Sequence, residues 1–377
     1  MHIVFLSSEY PLWSPGGIGT FLQTFGRALV AEGNTVSIVG VGETHTEEVL
    51  EDKGVTLYRL PKRKGKLPAF IHNKKVLNSK LKWLHSQHPI AILEAAEGGL
   101  ALISKRFPAT KIIRLHGGHH FFAEAEKRPI NWRKGLLEKR SFSKADGFIA
   151  VSEYVKLHTA NYLRYRNKPV KVIHHPMDTT ISVPDVEVDP HRILFSGTVC
   201  EKKGVRELVQ AFALVRKEFP DLHLDIFGRD WYYPDGRSYI TQLQKDLEPS
   251  YFENVLFHGS IDRNLLFEKY AEALLCVFPS HMETQGLVTL EAMLLGKPVV
   301  FTEYGPGPET ILHKQNGLLC DVYNPADIAE KMIWCIKHPE KAKALGENAR
   351  AHVRITYDKM SILEENITFY KKCMAHG

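Results

Sequence analysis

The stretch Leu274–Val300, LLCVFPSHMETQGLVTLEAMLLGKPVV, decides the fold. A short apolar run over Leu275–Phe278 is stopped by Pro279, and a polar loop follows as far as Gly286. An apolar helical pattern then covers Leu287–Leu295, and a second apolar run, Pro298–Thr302, begins after Gly296. Two short Val/Ile/Leu-rich runs joined through a helix read as parallel strands, because an antiparallel return needs only a tight turn.

The same alternation extends in both directions. Upstream, strands are expected at Ile193–Ser196, Leu222–Phe227 and Val255–His258, with a helix over Val205–Glu218; downstream a helix is expected over Ile328–Lys337. An independent series fills the first half: His2–Ser7, Thr35–Val41, Val55–Leu60, Ile90–Ala95, Lys111–His116, Gly147–Val151 and Val170–His174. Its first helix, Thr20–Glu32, is closed by Gly33. Between the series, His175–Pro190 carries three prolines and little periodicity, and it reads as a linker. The predicted architecture is α/β, with two Rossmann-like domains over 1–180 and 190–357 facing across a cleft. A last helical stretch, Met360–Lys372, has no strand after it, so residues 358–377 are expected to pack back on the first domain. In open α/β sheets ligands bind beyond the carboxyl ends of the strands, so the functional residues are sought there.

Composition narrows the class. A chain of 377 residues exceeds one ordinary α/β core, and 44% hydrophobic with 24% charged residues is ordinary for a globular protein. The opening MHIVFLSSEY lacks a basic n-region and a full apolar core, and five scattered cysteines without a CxxC fit a reduced cytoplasm. The net charge of +6 is uneven, about +9 over residues 1–190 and about −3 over the rest. Within the first half, Arg59–Lys82 holds nine cations and no acid, interleaved with Leu60, Leu67, Phe70 and Trp83. Such a stretch suits an anionic membrane surface, a phosphorylated acceptor or nucleic acid, or else is a solvated face.

The chemistry concentrates on two carboxylates. Glu283 falls in the loop and Glu291 about one turn inside the helix that begins near Gly286. The free N–H groups of that helix start make a natural diphosphate site, while carboxylates accept paired hydrogen bonds from ribose and sugar hydroxyls. Glu283-x7-Glu291, GKPVV at Gly296–Val300 and the turn Gly305–Gly307 together resemble the retaining family 4 glycosyltransferases of the GT-B fold. So do GGIGTF at Gly16–Phe21, RLHG at Arg114–Gly117, VSE at Val151–Glu153 and SGTVCEKKG at Ser196–Gly204, so that the resemblance covers nearly the whole chain.

The resemblance implies roles. Lys203 neutralises the donor β-phosphate, the amides at Gly286, Leu287 and Val288 cradle it, Glu291 binds the ribose and Glu283 holds the sugar. Gly16 and Gly17 bring a loop close to the diphosphate, Gly197 and Thr198 line the donor site, and His116 faces the reacting side of the sugar. Where family members often carry Arg, this chain has Thr198, which leaves Lys202 or Arg206 to make up the charge. The implied reaction is front-face transfer from a UDP- or GDP-linked sugar to a glycan, glycolipid or lipid-linked acceptor, with no covalent intermediate and no cofactor. Residues near His258–Ile261 are expected to face the base. With no DxD after an apolar run, no metal is expected, and His116, His119, His120 and Glu124 match no ligand spacing. Nucleic acid is not an expected partner, and the expected location is the cytoplasm, peripheral to the inner membrane face through Arg59–Lys82. A sugar-nucleotide epimerase or phosphorylase of the same fold, or a non-catalytic anion-binding module, are the competing readings.

Overall fold

In the computed structural model, which describes residues 1–13, 16–63, 68–125 and 128–375, the chain forms two compact units. The first combines Met1–Asp178 with Lys359–Gly377, and the second is Thr179–Asp358. Lys64, Lys66 and Leu67 of the basic stretch lie outside the described residues.

The first unit is built on β1 (His2–Leu6), β2 (Thr35–Val41), β3 (Glu48–Asp52), β4 (Val55–Leu60), β5 (Ile90–Ala95), β6 (Thr110–Leu115), β7 (Gly147–Ala150) and β8 (Val170–Val172). They form one sheet in the order β3-β4-β2-β1-β5-β6-β7-β8, parallel except for β3. Periodicity in the sequence does not reveal β3. It is an edge strand whose Val49 and Leu50 stay exposed, so EVLED carries no burial signal, and it turns into β4 through Lys53 and Gly54 at positive φ. Five helices follow in chain order: α1 (Gly17–Ala31), α2 (Ala69–Gln87), α3 (His119–Ala125), α4 (Trp132–Phe142) and α5 (Glu153–Ala160). α1 starts earlier than expected and buries Phe21, Leu22, Phe25 and Leu29.

The second unit holds β9 (Arg192–Ser196), β10 (His223–Phe227), β11 (Val255–Gly259), β12 (Leu275–Phe278), β13 (Val299–Thr302) and β14 (Leu318–Cys320). Its sheet is parallel throughout, in the order β11-β10-β9-β12-β13-β14; β14, three residues long, is an addition to the expected series. The helices used below are α6 (Val205–Arg216), α7 (Tyr239–Asp246), α8 (Arg263–Glu272) and α9 (Leu287–Leu294). α9 is apolar all round because it is buried, with Thr289–Leu294 enclosed. The helix Pro339–Thr356 comes so close that a Cβ on Gly346 would stand 2.1 Å from the Gly296 carbonyl oxygen.

One boundary differs from the sequence expectation. Residues 179–189, expected as linker, cluster with the second unit, where the Asp189 N–H donates to the Glu272 carbonyl at 2.8 Å. The helix Lys359–Ala375 belongs to the first unit and buries Ile362, Leu363, Phe369 and Tyr370 there. Among the parallel strands of each sheet the order reverses direction once, at β1/β5 and at β9/β12. These switch points leave a crevice outside the carboxyl ends of the strands.

Candidate active site

In the second unit the switch point gathers the residues singled out in the sequence. After β9 the chain passes Gly197 and Thr198 and forms a short turn, Glu201–Lys203, that ends at Gly204. After β12 it runs through Pro279 and Ser280 to Glu283. Gly204 takes φ 68°, and a Cβ there would lie 1.8 Å from the Pro279 carbonyl oxygen. Only glycine permits this contact. It locks the two loops together, and the His281 N–H donates to the Lys202 carbonyl at 3.0 Å. As a result Lys203 Nζ forms an ion pair with Glu283 Oε1, which also accepts from Ser280 Oγ at 3.0 Å.

Three residues beyond Glu283, Gly286 caps α9 at φ 79°, in the left-handed region. A side chain there would strike the Phe301 ring, since a Cβ would stand 2.8 Å from it. The N–H groups of Leu287 and Val288, in the first turn of α9, have no acceptor within the helix, and a helix start of this kind suits an anion. Glu291, one turn in, is buried, and its Oε1 accepts from Arg263 Nη2 of α8 at 2.8 Å. Burial pushes the Glu291 carboxyl above the ordinary carboxylate range, and Arg263 opposes the shift.

The question left by Thr198 has a structural answer in part. Arg206 is already committed, to Asp246 at 2.9 Å and to Glu201 at 3.4 Å. Gly228, after β10, approaches so closely that a Cβ would sit 1.8 Å from the Gly197 oxygen. The next residue, Arg229, is exposed, and its carbonyl accepts the N–H of Val199 at 2.9 Å. Arg229 therefore stands beside Thr198 and has no ion-pair partner among the described residues. Its sequence signal is an Arg directly after a strand-ending glycine, FGRD at Phe227–Asp230, on the neighbouring strand rather than in the Thr198 segment. His258, near the expected base region, stacks on Phe227 with ring centroids 4.5 Å apart and pairs with Asp225 at 2.7 Å.

The first unit holds the remaining candidates. Gly16 is the N-cap of α1 and Gly17 its first residue; a Cβ on Gly16 would meet the Glu9 carboxylate, whereas Gly17 has open space around it. His116 follows β6, half-buried, stacked on His175 and against Phe21. Burial, aided by the neighbouring Arg114 charge, pushes its imidazole down to about 3, so it is neutral at physiological pH. The loop after His116 is held by two buried carboxylates that the sequence alone does not single out. Glu97 accepts the Gly117 N–H at 2.7 Å, and Glu138 of α4 accepts the N–H groups of His119 and His120 and the His120 ring. Burial drives the Glu97 carboxyl up to about 8, with Glu138 adding to the rise. His119 Nε2 accepts the Asn131 N–H at 2.8 Å, and Glu124 pairs with His158 at 2.8 Å. The histidines of this segment thus have separate partners.

Comparison with known proteins settles the family. The pattern described as "Glycosyltransferase Family 4" matches residues 15–181, and that described as "Glycosyl transferases group 1" matches residues 178–352. The chain belongs to the family 4 glycosyltransferases. Among relatives of this glycosyltransferase, an uncharacterized glycosyltransferase of Methanocaldococcus jannaschii is 29% identical over 66% of the chain and 65% of its own length. A D-inositol 3-phosphate glycosyltransferase of Pseudarthrobacter chlorophenolicus is 27% identical, over 84% of the chain and 80% of that protein. In fold, the glycosyltransferase is similar to Anabaena HepE solved in complex with UDP and glucose, with a TM-score of 0.76 at 18% identity, covering 99% of this chain and all of that one. The fold is thus GT-B.

Proposed function

We propose that the chain is a retaining, metal-independent glycosyltransferase. It moves a sugar from a nucleoside diphosphate donor, UDP- or GDP-linked, to a hydroxyl of a glycan, glycolipid or lipid-linked precursor. The observation that carries this reading is the Lys203–Glu283 pair at the β9/β12 switch point, followed by the capped start of α9 and by buried Glu291. A cation, a helix N-terminus and two carboxylates in this order suit a sugar diphosphate from end to end. The similarity in fold to a protein solved with UDP and glucose supports the donor class. A relative named for D-inositol 3-phosphate supports an acceptor that carries phosphate.

In this reading Lys203 and the amides at Gly286, Leu287 and Val288 stabilise negative charge on the departing diphosphate, with Arg229 supplying the charge that Thr198 lacks. Glu291 takes the ribose hydroxyls and Glu283 the sugar hydroxyls. Gly197 and Thr198 border the phosphates, and Gly16 and Gly17 leave room for close backbone approach. The departing phosphate oxygen takes the acceptor's proton while the new bond forms on the same face, so the anomeric configuration is kept without a covalent enzyme intermediate. His116, neutral, accepts or donates one hydrogen bond on the acceptor side.

The proposed location is the cytoplasm, peripheral to the inner face of the membrane; among the described residues no helix is long and apolar enough to cross a bilayer. The test is a thermal-shift panel of UDP- and GDP-sugars followed by transfer assays, since a ligand that binds the folded state raises the melting temperature by mass action. One nucleotide series should stabilise the protein, and Lys203→Ala and Glu291→Ala should abolish transfer while remaining folded. Full transfer by both variants would sink the assignment.

A further inference from the structure

The structure redistributes the charge of the first unit. In the Arg59–Lys82 stretch, acids from the β2–β3 region neutralise three cations: Arg59 pairs with Glu48, Lys62 with Glu43 and Lys80 with Glu47. Lys80 also lies over the rings of Tyr58 and Trp83, at 4.0 and 3.9 Å. Those cations serve the fold of the unit more than a distant partner.

A different face has the opposite character. On α4, Trp132, Leu136 and Leu137 are exposed, Trp132 at 69%, and Arg133, Lys134, Lys139 and Arg140 are exposed among them. The one acid of this helix, Glu138, is buried on the other side. An apolar ridge flanked by four cations, with no exposed acid on the helix, is the pattern of a helix lying in a bilayer interface. The first turns of α2 repeat it with Phe70, Ile71, Lys74 and Lys75, all exposed or nearly so, on a helix without any acid.

The two helices are bound to one segment. Asn78 of α2 donates to the Leu102 carbonyl at 2.9 Å, while Arg140 of α4 donates to the Ala101 carbonyl at 2.9 Å. Lys144, just beyond α4, donates to the carbonyls of Leu100, Ala101 and Ile103, and Lys74 is near enough to help lower its pKa. A cavity of about 550 Å³ at the β1/β5 switch point is lined by Leu137 of α4, by Asn73 and Leu77 of α2, by Gly99 and by the ion pair of Lys62 with Glu43. Leu137 belongs both to this cavity and to the exposed ridge of α4.

We propose that the first turns of α2 and the outer face of α4 form one docking surface for an anionic lipid bilayer, with Trp132 as its apolar wedge. The inference deepens the peripheral-membrane reading and rests on it. Charge complementarity selects the occupant: cations around exposed tryptophan and leucine match phosphate headgroups above acyl chains, whereas nucleic acid has no use for the leucines. The geometry also gives the surface a use. It brings the cavity, with its apolar wall, to the level of the headgroups, where a lipid-linked acceptor is presented. The inner face of α4 meanwhile holds the loop after β6 through Glu138.

The experiment is vesicle flotation of the full chain, with Trp fluorescence quenching by brominated lipid. The wild type should float with phosphatidylglycerol-containing vesicles at low salt, less at about 0.5 M NaCl, and hardly at all with phosphatidylcholine alone. Trp132→Ser combined with Leu136→Ser, and separately Arg133→Gln combined with Lys134→Gln, should each lower partitioning at least about tenfold, with melting temperatures unchanged. The brominated lipid should quench the wild type, and Trp132→Phe should lose most of that quenching. Undiminished binding by both double variants, with the wild type bound, would overturn the α4 surface and leave the peripheral reading standing. No binding of the wild type to anionic vesicles would remove both. Binding to RNA with none to vesicles would also overturn the proposal.

Discussion

In the proposed reaction Lys203 and Arg229 would share the phosphate charge unequally. Lys203 is fixed by Glu283 and by the Gly204–Pro279 contact, so it is preorganised, whereas Arg229 is exposed and has no ion-pair partner among the described residues. Preorganised charge lowers the barrier, and charge without a fixed partner mainly assists binding. Lys203→Ala is therefore expected to reduce kcat about 100-fold or more. Arg229→Ala is expected to raise the donor KM about tenfold with a smaller change in kcat, as for loss of one charge-assisted hydrogen bond. Steady-state kinetics in the donor checks both, and an Arg229 variant indistinguishable from wild type would return the question to Lys202. Glu97 carries a separate pH signature. Its folded pKa is raised from 4.5 to about 8, so between those values the folded state holds a proton that the unfolded state has released. Stability should thus fall as pH rises through this window, by up to about 1.4 kcal/mol per pH unit from this group alone. Neutral His116, with its folded pKa lowered to about 3, acts in the opposite sense, costing stability as pH drops below 6.5. The difference between wild type and Glu97→Gln isolates the carboxyl: the variant should gain relative stability from pH 5 to pH 8 in denaturant titrations. A constant difference across that range would show that Glu97 is ionised in the fold.

At the scale of elements, the donor site depends on turns as much as on charges. Gly204→Ala would push a methyl into the Pro279 carbonyl and separate the Lys203 turn from the Glu283 loop. Gly236, also left-handed at φ 86°, has open space within 4 Å of where a Cβ would stand, and it supplies the control. Gly236→Ala is expected to cost about 1–2 kcal/mol, the backbone contribution alone. Gly204→Ala should cost clearly more and should weaken donor binding as well, measured by denaturant unfolding and calorimetry. Equal costs with intact donor affinity would show that the two loops do not need this contact. Such contacts explain what is legible in the sequence. The parallel strands and α9 are readable because buried elements are apolar for their whole length, and Glu283, Lys203 and Glu291 because each stands at a fixed step from a strand end. β3 escapes because an exposed edge strand has no apolar face to betray it. The neutralisation of Arg59, Lys62 and Lys80 escapes because their partners come from the preceding β2–β3 segment. Glu97, Glu138 and Arg229 escape because their neighbours are brought near by strand order, which spacing along the chain does not reveal. α4 reads as an ordinary charged helix until the burial of Glu138 shows that its one acid faces inward.

For the whole molecule, the chain's last helix makes the first unit discontinuous and the second continuous, and this difference in connectivity is testable. Arg114 is fully buried; its Nη2 donates to Asn366 Oδ1 at 2.6 Å, its Nε to Glu94 Oε1 at 2.6 Å, and the Tyr370 hydroxyl bonds Glu94 in turn. Two of these four groups come from Lys359–Ala375, so deletion of the helix would leave a buried ion pair short of partners. Losing the burial of Ile362, Leu363, Phe369 and Tyr370 adds several kcal/mol, at about 1.5–3 kcal/mol for each large side chain. Together this approaches the whole stability of a domain, about 5–15 kcal/mol. A chain ending at Asp358 should therefore lose the fold of its first unit while Thr179–Asp358, with its own parallel sheet and every candidate donor contact except Gly16 and Gly17, stays folded. Limited proteolysis should leave a fragment of the second unit. That fragment should bind the nucleotide selected by the thermal-shift panel with an affinity near that of the intact chain, by calorimetry, while sugar transfer is absent. A truncated chain that melts in one transition at the wild-type temperature would show that the Arg114 cluster contributes little. A folded fragment without nucleotide affinity would instead place essential donor contacts in the first unit, beginning with Gly16 and Gly17.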